Sequence, residues 1–252
     1  MGRSDVTETG RIPRAGQNPV QKAGMAAGGA LLASDHAYAV IRRDILLGVF
    51  PPGTHLRFAE LRRRYDIGAS PLREALFRLT SEHLVLQESN RGFRVPQLSR
   101  TEWADVVAMR RRLEPAAAEA SILAGSEDWE EELLLAHRRL KRLGPPSKLV
   151  RPLAQASSSA QWEDHHRTFH ATLISACGSP WTMRFIGLLS DQFDRYRRFA
   201  MPAPAVQEVL AGQHDEMLEA ALAREGWKAR EVLDAHIQMT CDAVGEALKR
   251  IL

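Results

Sequence analysis

Between residues 34 and 97 the chain switches its pattern repeatedly, and no element there is long. Ser34 is a good N-cap for the run Asp35–Leu47, in which Tyr38, Ile41, Ile45 and Leu46 recur at helical spacing before Gly48 closes it. Pro51-Pro52-Gly53 marks a turn, and a short helix follows from about Phe58 to Tyr65. Ile67-Gly68-Ala69 is a tight turn, after which Ser70-Pro71 pairs an N-cap with a proline at the first helical position. The helix so opened, Pro71 to about His83, buries Leu72, Leu76 and Leu79. Two β-prone runs, Leu84–Glu88 and Phe93–Val95, flank the turn Ser89-Asn90-Arg91-Gly92 and end at Pro96. Three short helices followed by a hairpin leave essentially one arrangement, a winged helix-turn-helix.

Charge divides along the same line. Residues 1–100 carry 15 basic and 9 acidic side chains, whereas residues 101–252 carry 19 and 22. A basic first part with a mildly acidic remainder implies two domains with different partners, the first of them a polyanion.

From residue 99 onward every segment has helical periodicity. Ser99 and Glu102 have capping-box spacing and open a long helix to about Leu123, with Pro115 a possible kink; Ser126 starts another that ends near Leu143. A Pro/Ser-rich loop over 144–159 precedes helices at about 160–176, 180–199, 204–224 and 227–249. The fold class is therefore mainly α: an N-terminal winged helix-turn-helix with a small β-hairpin wing, then a C-terminal antiparallel all-α bundle. The expected boundaries are a disordered arm over 1–33, a DNA-binding domain over 34–97 and a ligand-binding helical domain over 98–252. Cys177 and Cys241 lie in apolar-periodic helices and have no metal-binding spacing, so they read as buried free thiols. No apolar run approaches the roughly 20 residues of a membrane span, and no clean secretory signal is present. A cytoplasmic protein without a membrane partner is expected.

In a helix-turn-helix the second helix enters the major groove with its N-terminal side chains facing base edges. Arg73 stands in that first turn, where its fork suits guanine or a phosphate. Arg62, Arg63 and Arg64 end the preceding helix, placed for backbone phosphates, and Arg91 and Arg94 flank Gly92 on the wing. Arg62, Ser70, Arg73, Arg91 and Gly92 are the candidate DNA-contacting residues.

Four of the nine histidines converge by geometry. His166 and His170 are four apart and share one helix face. His214 and His236 lie at equal distance from the turn at Glu225-Gly226, so an antiparallel helical hairpin sets them at one height. Three helices then bring imidazoles to one level inside the bundle, and neutral imidazole suits zinc, nickel and similar divalent ions.

The stretch "GVFPPGTHLRFAELRRRYDIGASPLREALFRLTSEHLVLQESNRGFRV" resembles the DNA-binding domain of GntR-family bacterial transcriptional regulators. The Pro-Gly turn, the "SPLREAL" helix start and the "RGFRV" wing match in order and spacing. The resemblance implies operator contacts by Arg73, Arg91 and Gly92. Gly68-Ala69 stands where many members have Ser-Arg, and Ala59 where some have arginine, so the operator is expected to depart from the commonest half-site. "LEPAAAEA", "HHRTFHATLISACGSP", "HDEMLEAAL" and "AHI" are similar to the all-helical effector domain of the FadR-like branch, the FCD domain. That likeness implies a divalent metal held by an aspartate and three histidines. The histidines map to His170, His214 and His236, and His166 occupies the aspartate's place. Open coordination positions would suit a small carboxylate effector. Arg110 matches an arginine of the family's R-x-x-x-E helix, with Glu114 as partner; it reads equally as an effector contact and as a structural salt bridge.

Together these features describe a ligand-responsive repressor, a homodimer reading a pseudo-palindromic operator in double-stranded DNA, and not an enzyme. Two other readings are a metal-dependent hydrolase built on the same histidines, which lacks a motif supplying a general acid or base, and an architectural DNA binder without an effector.

Overall fold

The computed structural model describes residues 19–89, 92–145, 157–198 and 204–249. Helix α1 spans Pro19–Leu46, so the start expected at Ser34 falls inside it, and Ser34 is fully buried. The stretch before Ser34 is rich in Ala and Leu, the strongest helix formers, and they outweigh the intervening glycines. Residues 1–18 of the expected arm lie outside the described residues.

Helix α2 spans Phe58–Tyr65 and stops at Asp66, which adopts the left-handed conformation at φ 52°. Helix α3 spans Ala69–Ser81 and starts earlier than Ser70. Its N-cap is Gly68, which has no side chain to cap with, and Pro71 is still accommodated because backbone N–H groups of the first turn have no helical partner. Ser70 is consequently an exposed residue of that turn rather than its cap. The hairpin forms from β2 (Leu86–Glu88) and β3 (Gly92–Arg94), with Leu86 opposite Arg94 and Glu88 opposite Gly92. A third strand, β1 (His55–Leu56), pairs antiparallel with β3 and gives the order β1-β3-β2. Two residues are too few to carry a period, which is why this strand leaves no signal in the sequence. Gly53 suits the turn beside it because its φ is +82°, in the left-handed region that L side chains rarely adopt. Ile41, Leu72, Leu76, Leu79 and Leu84 are fully buried in this domain's core, each contributing about 1.5–3 kcal/mol of burial.

The bundle consists of α4 (Arg100–Ala124), α5 (Glu127–Leu143), α6 (Ser157–Ile174), α7 (Pro180–Arg197), α8 (Pro204–Leu222) and α9 (Gly226–Leu248). Ser99 caps α4 by accepting from the Glu102 amide at 3.4 Å. The Glu102 carboxylate does not complete a capping box; it takes the Tyr196 hydroxyl, whose oxygen accepts from Ser99 N at 3.1 Å. Helix α4 runs unbroken through buried Pro115 and packs on α6, α7 and α9. Gly226 lets α9 start against α4, since a Cβ there would approach Glu119 O at 3.1 Å. Cys241 is buried and Cys177 half-buried, both as free thiols.

Helix α7 joins the two domains. Asp191 receives Arg42 of α1, Gln192 Nε2 donates to Glu82 O at 2.8 Å, and Arg195 Nη2 donates to Pro96 O at 2.9 Å. Among the described residues no helix is long and apolar enough to cross a membrane.

Candidate DNA-reading face and histidine-lined cavity

Ser70, Arg73, Glu74 and Phe77 share one concave outer surface of α3. Arg73 is exposed there, its guanidinium 5.9 Å from the Phe58 ring centroid. Arg62 and Arg63 are exposed at the C-terminal end of α2, the position where cations suit the helix dipole. Three further arginines are paired within the domain. Arg64 pairs with Asp44 at 3.1 Å, Arg78 with Asp35 at 2.5 Å while lying 4.2 Å from the Tyr38 ring centroid, and Arg94 with Glu88 at 2.7 Å. Arg94 is thus half-buried against β2, although its place beside Gly92 suggested a groove contact. Gly92 is exposed at φ +84°, as the wing turn demands; Arg91 lies outside the described residues.

In the bundle, α6 supplies His166 and His170, α8 supplies His214 and α9 supplies His236. One ligand atom from each lies within 4.8 Å of the other three. His170 Nε2 is 3.2 Å from His214 Nε2, and the ring centroids of His214 and His236 are 4.7 Å apart. The antiparallel packing of α8 on α9 sets those two at one level. His165 and exposed Asp164, on other faces of α6, stand outside this set.

All four imidazoles are neutral at physiological pH. Burial is the largest cause and carries the pKa values of His166, His170 and His236 well below the ordinary range; Arg197 and the neighbouring histidines add repulsion. His214 is lowered to about 3, again chiefly by burial, with His137 adding to it. A neutral imidazole has one lone pair to give. Gln213 Oε1 lies 3.2 Å from His236 Nδ1 and accepts from it, which leaves His236 Nε2 as the donor. His170 Nδ1 is buried without a hydrogen-bond partner. Four convergent neutral nitrogens suit zinc or nickel, and no carboxylate belongs to the set.

The imidazoles open on a cavity of about 420 Å³ that also touches Arg110, Trp162, Phe193 and Arg197. Arg110 forms the expected salt bridge with Glu114 and also borders the cavity. Its guanidinium is ion-paired to Glu114 at 2.5 and 2.9 Å and lies 3.9 Å from the Phe193 ring centroid, while it borders the cavity. Arg195 and Arg197 both stand near the C-terminal end of α7. Two residues apart, they leave α7 on different sides: Arg195 reaches Pro96, whereas Arg197 lines the cavity and pairs with Glu163 and Asp194; each keeps a buried Nε–H without a hydrogen-bond partner. The i,i+3 and i,i+4 spacing of Arg197 from Asp194 and Phe193 was the available signal. At the cavity mouth, His137 and Lys141 of α5 both hold Asp215 of α8, at 2.8 and 2.9 Å.

Two known families match the chain. Residues 33–95 match the family "Bacterial regulatory proteins, gntR family", and residues 105–239 match the FCD domain. The uncharacterized HTH-type transcriptional regulator BphR of Paraburkholderia xenovorans LB400 is 35% identical over 81% of this chain and 82% of its own length. The HTH-type transcriptional repressor GlaR of Escherichia coli K12 is 30% identical over 84% and 95%. Among solved structures, E. coli McbR/YncC superposes with a TM-score of 0.71 at 18% identity, covering 85% of this chain and 97% of that one. These relatives are regulators and not enzymes, and the hydrolase reading of the histidines finds no support in them. The chain belongs to the GntR family of bacterial DNA-binding transcriptional regulators, in the group that carries an FCD domain.

Proposed function

We propose that this regulator is a metabolite-responsive repressor whose helical domain senses a small carboxylate through a bound divalent ion, zinc or nickel. The observation that carries the reading is the convergence of His166, His170, His214 and His236 on a cavity bordered by two guanidiniums. An ion held there supplies Lewis acidity toward an anionic ligand, and Arg110 and Arg197 supply the charge that orients it. The relative GlaR, named a repressor, supports the direction of regulation.

On DNA, Arg73, Ser70 and Gly92 meet the operator from α3 and the wing, Arg91 extends the wing contact, and Arg62 holds backbone phosphate. A homodimer would place two such faces on a pseudo-palindrome. Signal passes through α7, which borders the cavity with Phe193 and Arg197 and holds the winged helix through Asp191, Gln192 and Arg195. Arg197 and Arg167 share Asp194, and Arg167 and Arg42 share Asp191, so one chain of ion pairs runs from cavity to α1. A ligand that changes the Arg197 end gives the two domain arrangements different free energies.

The test is a thermal-shift screen of small carboxylates on the full chain, with and without zinc or nickel. Stabilisation by one carboxylate class that is absent from a His170→Ala, His214→Ala variant supports the reading. Equal shifts in that variant and the wild type contradict it.

A further inference from the structure

Helix α5 carries its charge in two halves. Glu127, Asp128, Glu130, Glu131 and Glu132 stand near its start, and Arg138, Arg139, Lys141 and Arg142 near its end. Its buried side, Trp129, Leu133, Ala136 and Leu140, packs among α6 and α8. At about 100° per residue the opposite side presents Glu127, Glu131, Leu134, Leu135, Arg138 and Arg142 along one stripe, and all six are exposed. Leu134 and Leu135, at the centre of the stripe, are 41% and 46% exposed. Five of the six, from Glu131 to Arg142, line one shallow surface with Leu218 of α8. None of the six lines the histidine cavity or the concave face of α3.

Within the chain the charges of this stripe are unmatched. Among the described residues no ion pair reaches Glu127, Glu131, Arg138 or Arg142, whereas Glu130 and Lys141, to either side, hold Arg224 and Asp215. Glu127 and Glu131 are like charges at i,i+4, as are Arg138 and Arg142, and such neighbours repel. The helix dipole accounts for the outermost charges only: its effect fades within the first and last turns, and Glu131 and Arg138 lie beyond them. The stripe is complementary to itself when reversed. Laid antiparallel on a copy about an axis between Leu134 and Leu135, Glu131 meets the partner's Arg138 and Glu127 meets the partner's Arg142. Symmetry repeats each pair, and the leucines cover one another.

We propose that α5 is a self-association surface, pairing antiparallel with α5 of a second copy across a two-fold axis that passes between Leu134 and Leu135. The contact is closed, so it links chains in twos and does not propagate. Each of the four charges gains an opposite partner, and the exposed leucines leave water. One helix pair is a small interface, so the association is weak and sensitive to salt. The inference rests neither on the ion nor on the carboxylate proposed above. It uses no residue of α3 or the wing, so linked copies keep their operator-reading faces.

The experiment is sedimentation velocity of the full chain over a wide range of concentration, at low and at high salt. The wild type should show a concentration-dependent association that salt weakens. Glu131→Arg and Arg138→Glu each set like charges opposite one another, twice by symmetry, and each should weaken that association by about tenfold or more. Mixed together, the two single variants face opposite charges again and should associate as the wild type does. The chain carrying both substitutions should do the same. Both positions are exposed, and unchanged melting temperatures confirm that the variants fold. Single variants that associate like the wild type, or that associate no better when mixed, overturn the α5 contact and leave the proposed homodimer standing. A wild-type chain that stays monomeric at every concentration overturns both.

Discussion

Arg42 of α1 grips Asp191 of α7 with Nε at 3.0 Å and Nη2 at 2.6 and 2.5 Å from the two carboxylate oxygens. The fork makes this the most directional contact between the DNA-binding module and the helical domain, and Arg167 holds the same carboxylate from α6. Asp191→Asn removes the charge that both guanidiniums share. Both arginines are about one-third exposed, so solvent offsets part of the loss, and the expected destabilisation is about 1–3 kcal/mol. Arg42→Ala should cost less, since it leaves Asp191 paired with Arg167. Urea melts of the two variants check the order; a larger loss for Arg42→Ala would contradict the shared-carboxylate geometry.

On the DNA face, Arg73→Ala and Arg62→Ala should behave differently. Arg73 stands at the N-terminal end of the reading helix, and its loss should weaken the selected operator by about 1–3 kcal/mol while leaving random duplex almost unchanged. Arg62 lies at the end of α2, and its loss should weaken all duplexes alike and lower the salt slope by about 1. Fluorescence anisotropy against salt concentration, on operator and on scrambled sequence, separates the two.

Gln213 reaches the cluster through a hydrogen bond to His236. Gln213→Leu removes the acceptor for His236 Nδ1–H, so the ring loses both its orientation and its preferred tautomer. Ion affinity should fall by about 10–100-fold, while the melting temperature of the chelator-treated protein changes little. Gln213→Glu, which keeps an acceptor, should restore ion affinity.

The neutral histidines also set a pH dependence. Their folded pKa values lie below the unfolded value of about 6.5, so the unfolded chain binds more protons as pH falls. Stability of the chelator-treated protein should be level above about pH 6.5 and fall progressively below it. For His214 the loss should continue toward its folded value of about 3. A bound ion should add to this slope, because protons compete for the same nitrogens. Melting curves between pH 5 and 8 check the sign; stability that rises on acidification would contradict buried neutral rings.

Much of this molecule is legible in its residue spacing. Leu72, Leu76 and Leu79 declare α3, and Ser99 and Ser126 mark helix starts by caps that the structure contains. The four histidines meet because i,i+4 spacing and equal distance from a turn are properties of helices in general. What spacing does not carry is competition. Ser70 loses the capping position to Gly68, and β1 is too short to show alternation. Arg94 looks like a groove contact until Glu88 is seen beside it. Arg197 differs from Arg195 only in the side of α7 it leaves from, and that depends on how the whole bundle packs.

The central claim, that occupancy of the histidine cavity controls operator binding, has a direct measurement. A duplex selected by the full chain from random sequence is titrated with chelator-treated protein and with protein loaded with nickel and succinate. The account predicts a change in operator affinity of roughly 5–150-fold between the two, lost in the His170→Ala, His214→Ala variant. Operator affinity that stays the same in the wild type, with ion and carboxylate shown calorimetrically to be bound, would contradict it.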